Sequence, residues 1–180
     1  RVTPPYSRDS SSDFSASEIT DITTIWKRVS EDFAPFDIDV TTEEPASFGN
    51  KVAQRVAIGG SYSDWYGNSA GGVAYLCTVT WNGDIPTYVF ENNLGNGDPK
   101  YTAEAISHEV GHTLCLSHQA KYDANGVKLE EYDPGSGSGA TGWAPIMGVG
   151  YYQNLTTWRN GSTSSCYTCY QDDLAVITSP

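Results

Sequence analysis

The three histidines of this 180-residue chain, His108, His112 and His118, fall within eleven residues. The segment that carries the first two is rich in Ala, Glu and Leu, which predicts a helix over about 99–114. Because residues four apart lie on one face of a helix, the first two imidazoles project together. The third can join them only if the chain turns at about 114–116. The fold must therefore end a helix sharply and bring the chain back across its histidine-bearing face.

Two imidazoles four residues apart on a helix have the spacing of two ligands to one tetrahedral metal ion. Glu109 follows the first, which completes the H-E-x-x-H arrangement with the glutamate as general base for a metal-activated water. Three neutral imidazoles leave one coordination position open, as is typical of catalytic zinc. The pattern predicts one catalytic Zn²⁺ held by His108, His112 and His118, with Glu109 as the catalytic residue. A five-residue match alone also arises by chance in surface helices, and the third histidine argues against that interpretation.

The net charge of the chain limits the classes of partner that it can bind. Ten Lys and Arg against 22 Asp and Glu give a net charge of -12, with the acids spread along the chain. Such a surface repels phosphate backbones and anionic headgroups, and no apolar run approaches the ~18 residues of a membrane span. We therefore expect no nucleic-acid partner and no membrane partner. The four cysteines form an even set that can pair in three ways, which favours an oxidising compartment and secretion.

The rest of the chain divides into predicted elements of a single domain. Capping-box spacing at Ser15 and Glu18, followed by apolar residues at helical intervals, predicts a helix over about 16–33. Turn-rich sequence after the third histidine predicts irregular loops, and 171–179 is either a short helix or a strand. Short β-branched runs bounded by turn residues predict strands of one sheet over 36–41, 52–58, 72–81 and 86–90, after an extended arm or linker over 1–14.

The histidine segment resembles the zinc motif of the metzincin clan of endopeptidases, H-E-x-x-H-x-x-G-x-x-H followed by a Met-turn. It reads HEVGHTLCLSH, and the only methionine, Met147, lies in APIMG, about where the clan places that turn. The order of the preceding elements is similar, so the resemblance covers about 15–150. It implies an α/β (α+β) fold with a twisted mixed five-stranded sheet, a long backing helix and the zinc-binding helix. An upper subdomain would span 15–118, and an irregular lower subdomain with the Met-turn would span 119–180.

The same resemblance implies a secreted zinc endopeptidase that hydrolyses a peptide or protein substrate, and we expect it to be a monomer. The substrate would lie extended against the edge strand, joined to it by main-chain hydrogen bonds. Residues after the Met-turn would line the pocket for the side chain that follows the cleaved bond. The residues implied are Gly72, Val73, Ala74 and Tyr75 on the strand, and Tyr151 and Tyr152 as pocket walls.

The chain departs from the clan pattern at the turn after the helix. Where the pattern has Gly, this chain has Cys115, and a non-glycine residue is disfavoured at positive φ. A disulfide to Cys77, two elements earlier, would compensate the strain, and Cys166 with Cys169 would form a second bridge across a tight turn. Alternatively, Cys115 is a free thiol beside the metal that keeps the enzyme latent.

Two further positions separate the chain from the known subfamilies. Gln119 follows the third histidine, where astacins, adamalysins, matrixins and serralysins carry Glu, Asp, Ser or Pro, so no subfamily is assigned. Val149 stands where some families have a tyrosine ligand, so a tyrosine ligand is not assigned either.

An acidic loop suggests a second metal. The segment DANG at 123–126, with Glu130 and Glu131, is similar to an oxygen-ligand loop for Ca²⁺, although the full EF-hand pattern is missing and a solvated turn is the alternative. The alternative function is a zinc-stabilised, non-proteolytic binding or adhesion module. Glu109 argues against that function, because a structural site needs no base and has four protein ligands.

Overall fold

The computed structural model describes residues 2–9 and 11–180, and its longest helix is α1 (Ala16–Phe33). The start of α1 is a reciprocal capping box. The Ser15 hydroxyl accepts a hydrogen bond from the Glu18 amide at 3.3 Å, and the Glu18 carboxylate accepts one from the Ser15 amide at 2.8 Å. The predicted helix over 16–33 is confirmed.

The histidines lie on or just after the second helix, α2 (Pro99–Thr113). The Asp98 carboxylate caps it by accepting hydrogen bonds from the amides of Lys100 and Tyr101, at 2.9 and 3.0 Å. Pro99 occupies the first turn, where a missing N–H removes no helical hydrogen bond. The prediction of a helix over 99–114 is confirmed to within one residue. Helix α2 packs against α1 and against the central sheet, which fixes the position of its histidine face.

The central sheet has three strands, β1 (Val56–Ile58), β2 (Gly72–Val73) and β3 (Thr87–Val89), in the order β1–β3–β2. β1 runs parallel to β3, and β2 runs antiparallel to it. The expected twisted mixed five-stranded sheet is therefore wrong. The described chain is a small α+β protein whose sheets have two or three short strands. β2 lies at an edge of its sheet and contacts α2.

The segment over 36–41, predicted as a strand, is irregular. The Val40 carbonyl accepts a hydrogen bond from the Trp26 indole Nε1 at 2.6 Å, so that oxygen is engaged by α1 instead of by a strand partner. The Phe36 ring packs near Phe33, with ring centroids 6.4 Å apart. These contacts hold the segment against α1, which removes it from the sheet.

The predicted strand over 72–81 ends after Val73. Beyond it the chain leaves the sheet, because Cys77 adopts a positive φ of 62° and forms a disulfide with Cys115 at the end of α2. A 3-10 helix over Thr78–Thr80 follows. A long-range covalent bond therefore overrides the local β propensity of this run.

The chain after the third histidine, expected to be irregular, contains three two-stranded sheets and a short helix. These strands have two or three residues each and pair with near neighbours in the chain, and most of the remaining segment is turns and irregular backbone. The segment over 171–179 holds both a strand end and a helix. The elements are β4 (Lys121–Tyr122) with β5 (Lys128–Glu130), β6 (Trp143–Pro145) with β7 (Leu155–Thr157), β8 (Asn160–Ser162) with β9 (Tyr170–Asp172), and α3 (Asp173–Ile177).

One apolar core connects these sheets to the helices. The Trp158 ring lies 5.3 Å from the Phe33 ring, and its indole Nε1 donates a hydrogen bond to the Asp32 carbonyl at 2.6 Å. Ile146 and Met147 belong to the same buried cluster. The segment after β6 is thereby packed against α2, where Met147 lies close to Gly111.

The N-terminal segment over 2–9 has no helix or strand, yet it packs on the body of the protein. Tyr6 is buried and its hydroxyl donates a hydrogen bond to the Gly97 carbonyl at 3.2 Å, and the Thr3 hydroxyl bonds the Gly59 carbonyl at 2.6 Å. Among the described residues, every helix is too short or too polar to cross a bilayer.

Candidate metal centre

The three predicted histidines converge at the C-terminal end of α2. One ring nitrogen from each of His108, His112 and His118 lies within 4.8 Å of the others. Nε2 of His112 is 2.9 Å from Nε2 of His118. The turn that the spacing requires is present, because α2 ends at Thr113 and the chain then reverses. In the part of the chain that the structure describes, these side chains form the one group of three potential ligands close enough to share an ion.

Backbone carbonyls orient two of the three rings. Nδ1 of His108 lies 2.8 Å from the Ile146 carbonyl oxygen, and Nδ1 of His112 lies 2.7 Å from that of Leu116. A carbonyl can only accept a hydrogen bond, so Nδ1 carries the proton in both rings. Each Nε2 then presents its lone pair to the centre, as metal-bound histidines do.

Burial keeps the three imidazoles neutral. It lowers the pKa of His108 to about 3 and that of His118 to about 4, and it also lowers the pKa of His112. The neighbouring imidazoles add to the shift for His108 and His118, because two cations at this separation would repel each other. Neutral imidazole is the ligating form, and a set of three suits a transition-metal ion. The donor set therefore fits a metal at this place.

Cys115 lies in the turn that brings His118 back, and it has a positive φ of 76°. It forms a disulfide with Cys77, which confirms that pairing, and a second disulfide joins Cys166 to Cys169. The amides of both Cys77 and Cys115 donate hydrogen bonds to the His112 carbonyl, at 3.0 and 2.9 Å. The disulfide thus holds the end of α2 at His112, one of the three candidate metal ligands, and the alternative of a free Cys115 thiol is wrong.

Met147 lies beneath the centre and is fully buried. A Cβ atom on Gly111 would stand 2.5 Å from its sulfur, so the helix can approach Met147 this closely only at a glycine. Two backbone carbonyls of the same turn hydrogen-bond residues at the centre. Ile146 accepts from His108, and the Met147 carbonyl accepts from the Gln119 amide at 2.8 Å.

Glu109 projects toward the edge strand. Its side chain is buried, and burial raises its pKa to about 8. A Cβ atom on Gly72 would stand 2.6 Å from Cγ of Glu109 and 2.8 Å from the Tyr88 carbonyl oxygen. A side chain at position 72 would therefore displace the carboxylate. The sequence predicts both residues as site residues, and the structure places them in contact.

Three histidines and two orienting carbonyls thus meet toward the C-terminal end of α2, and Glu109, next to His108 in the chain, is buried against Gly72. No protein-family model, curated protein or solved structure matches this chain at a significant level. The reaction that this centre could catalyse is therefore inferred from its own residues.

The remaining predicted substrate residues are dispersed. Val73 lies on β2, but Ala74 follows the end of the strand, and Tyr75 is 68% exposed and stacks on Trp81 at a centroid distance of 6.2 Å. Tyr151 is largely buried against Tyr101, with ring centroids 5.4 Å apart, and its hydroxyl lies near Gly71. Tyr152 is 84% exposed. Gly72 therefore borders Glu109 and Val73 lies on the edge strand, whereas Tyr151 packs on Tyr101 near Gly71.

Tyr132 borders the centre and was not predicted. Its ring centroid lies 4.5 Å from that of His118 and 6.1 Å from that of His108. The following residue, Asp133, donates its amide to the Gln119 carbonyl at 2.8 Å, which brings Tyr132 beside the third histidine. Spacing along the sequence gives no sign of this contact, because it depends on the β4–β5 hairpin that separates the two segments.

The acidic loop after β4 is a hairpin turn. Oδ1 of Asp123 accepts hydrogen bonds from the amides of Asn125 and Val127, at 2.8 and 2.9 Å. Glu131 pairs with Lys128 at 2.7 Å. This arrangement is the turn that the sequence left as the alternative to a Ca²⁺ loop. Among the described residues, Asp123, Glu130 and Glu131 do not come together as a group of potential ligands.

Proposed function

We propose that this protein is a zinc-dependent endopeptidase in which Glu109 is the general base. The observation that carries the proposal is the arrangement around Gly72. The carboxylate that follows the first histidine lies against the edge strand of a sheet, at the end of the helix that carries two of the three imidazoles. The proposal thus takes Glu109 as the base, the three imidazoles as the metal-binding group and β2 as the edge that would pair with a peptide.

His108, His112 and His118 would hold the zinc ion, and their neutral rings leave one coordination position open. When bound, zinc lowers the pKa of water toward ~7 and polarises a carbonyl. Glu109 would accept the proton from the attacking water and then pass it to the amine that leaves. Burial raises the pKa of this carboxyl to about 8, and a zinc ion held nearby would lower that pKa again by favouring the carboxylate, which is the form that accepts a proton.

The position of β2 at the edge of its sheet is the reason for proposing a peptide as the substrate. The unpaired edge of a strand offers amide and carbonyl groups to an extended chain, so a peptide can add to it as a further strand. Because Gly72 has no side chain, such a peptide could approach Glu109 closely. The ring of Tyr132, which lies beside His118, would contact substrate side chains near the cleaved bond.

Two disulfides support a location outside the cell, because oxidising compartments preserve them. We propose that the enzyme is secreted and monomeric and acts on peptides. Its net charge of -12 disfavours nucleic acid and anionic membranes as alternative partners. Reductive treatment before assay would show whether the disulfides are needed for the active form.

The test compares the wild type with Glu109→Gln and His112→Ala on a diverse peptide library, with new termini identified by mass spectrometry. Zinc content is measured in parallel on each purified protein. Glu109→Gln keeps the shape of the side chain but cannot accept the proton. We expect it to bind zinc as the wild type does and to cleave about 10²–10⁴-fold more slowly. His112→Ala should lose both zinc and cleavage.

Three other results would count against the proposal. Equal cleavage by Glu109→Gln would remove Glu109 from the role of base. Zinc binding without cleavage by the wild type would favour the zinc-stabilised binding module. Absence of zinc binding by the wild type would overturn the metal centre itself.

A further inference from the structure

The segment that carries the third histidine is hydrogen-bonded by side chains from the C-terminal part of the chain. The Ser117 amide donates a hydrogen bond to Oε1 of Gln171 at 2.8 Å, and Nε2 of Gln171 donates to the Ser117 carbonyl at 3.0 Å. The side-chain amide of Gln171, on β9, therefore takes the place of a strand partner for the residue just before His118. The two residues are 54 positions apart.

The residue just after His118 is held by the same group of side chains. Gln119 is fully buried, and its Nε2 donates to Oδ1 of Asp173 at 2.9 Å and to the Arg159 carbonyl at 3.2 Å. Oδ1 of Asp173 also accepts from Nε2 of Gln171 at 2.9 Å. Its other oxygen, Oδ2, accepts from the Arg159 amide at 3.0 Å. Asp173, itself fully buried, thus joins the supports on both flanks of His118.

His118 needs such support more than the other two ligands. The rings of His108 and His112 are oriented by carbonyl oxygens at Nδ1. Nδ1 of His118 lies 4.0 Å from Oε1 of Glu131, which is beyond hydrogen-bond distance. With no hydrogen bond at Nδ1, the His118 ring is positioned by its contacts with Tyr132 and His112 and by its backbone, whose carbonyl accepts a hydrogen bond from the Ser164 amide at 2.8 Å.

We propose that Gln171 and Asp173 are positioning residues for the metal centre, and that they fix His118 through the backbone of Ser117 and the side chain of Gln119. This inference rests on the metal centre of the proposed function, but not on proteolysis. It gives the C-terminal β9–α3 junction a role in metal affinity. Groups that hydrogen-bond directly to metal ligands contribute about 10- to 100-fold to metal affinity, and we expect an effect of this order from residues that fix both neighbours of a ligand.

The test uses Gln171→Met, which keeps the length of the side chain but removes both hydrogen bonds to Ser117. Asp173→Asn is the second variant, because an amide cannot accept at both ends and must lose either the Gln donors or the Arg159 amide. The matched control is Asp172→Asn, the same substitution on the exposed neighbour that caps α3. Asparagine also serves as an N-cap, so this control should keep the fold.

Zinc affinity is measured by competition with a chromophoric chelator, and the absorption bands of bound Co²⁺ report the coordination. We expect Gln171→Met and Asp173→Asn to bind zinc about 10- to 100-fold more weakly, with Co²⁺ spectra shifted toward that of His118→Ala. The Asp172→Asn control should match the wild type. All measurements are made at a temperature at which circular dichroism shows each variant folded, since a purely structural role would leave the Co²⁺ spectrum unchanged there.

The outcomes separate this inference from the proposed function. Wild-type zinc affinity and Co²⁺ spectra in both variants would overturn the positioning role while leaving the metal centre intact. A wild type that binds neither ion would overturn the centre and the positioning role together. Weaker metal binding in the variants, with no proteolysis by any of the proteins, would support the positioning role and refute only the endopeptidase.

Discussion

Removal of the Cys77–Cys115 disulfide should destabilise the protein by an amount set mainly by its loop. The two cysteines are 38 positions apart, and closing a loop of that size restricts the unfolded chain by about 4 kcal/mol at 25 °C. Cys77→Ala/Cys115→Ala should therefore lose about 4 kcal/mol in free energy of unfolding. That is a large part of the ~5–15 kcal/mol typical of a domain.

The choice of residue at position 115 gives a sharper test. The backbone there has φ of 76°, a left-handed conformation that costs a non-glycine residue about 1–2 kcal/mol. Glycine avoids this cost but is more flexible when unfolded, which offsets about 0.4–1 kcal/mol. Cys77→Ala/Cys115→Gly should thus be about 1 kcal/mol more stable than Cys77→Ala/Cys115→Ala, and its Tm should be about 2–4 °C higher.

Urea denaturation of the wild type and both double variants, in buffer with EDTA, measures these differences without a contribution from bound metal. Both double variants lack the disulfide, so their difference isolates the backbone conformation at position 115. Equal stability of the two, or a more stable alanine variant, would refute the strain argument. A loss below about 1 kcal/mol in both would refute the loop-entropy argument.

Substitutions at three further positions test the contact at Gly72, the packing of Met147 and the titration of Asp32. Gly72→Ala should displace Glu109 and lower kcat for peptide cleavage by about 10- to 100-fold with unchanged zinc content, and an unaltered kcat would contradict their contact. Met147→Ala should cost about 2–5 kcal/mol of unfolding free energy, against less than about 1.5 for Met147→Leu, because only the former leaves a cavity; urea denaturation showing equal losses would argue against close packing. Burial raises the pKa of Asp32 from 3.8 to about 7, so the folded state loses stability as the pH rises from about 4 to 7. Asp32→Asn removes that loss, and its stability relative to the wild type, measured by urea denaturation with EDTA, should improve from pH 5 to pH 8; a difference independent of pH would contradict the shift.

The parts of the structure that the sequence predicts are those set by local interactions. Helix α1 and helix α2 begin at capping residues within three positions of the amides they bond, so their bounds follow from short patterns. The convergence of His108 and His112 follows from the same helical geometry. The return of His118 is required by chemistry rather than by propensity, and the turn at Cys115 provides it.

The parts that the sequence does not predict depend on distant partners. The run after Val73 has β propensity, yet the disulfide at Cys77 takes the chain to the end of α2. The segment over 36–41 is held by the Trp26 indole. Tyr132 comes to the centre through the Asp133 amide. The pattern of residues along the chain does not encode such long-range contacts. The sequence therefore predicts more strand residues in the sheet than the structure has, and it does not predict Tyr132.

The position of the disulfide also determines how the centre would respond to mechanical force. The loop closed by Cys77 and Cys115 contains His108 and His112, whereas His118 lies three residues outside it. Tension applied to the two ends of the chain would pass through the sulfur atoms and bypass the loop, whose hidden contour is at most about 14 nm. His118 would then be pulled from the centre while the two helical ligands remain shielded. Under load, the metal would be released by extraction of one ligand, before the helix that holds the other two unfolds.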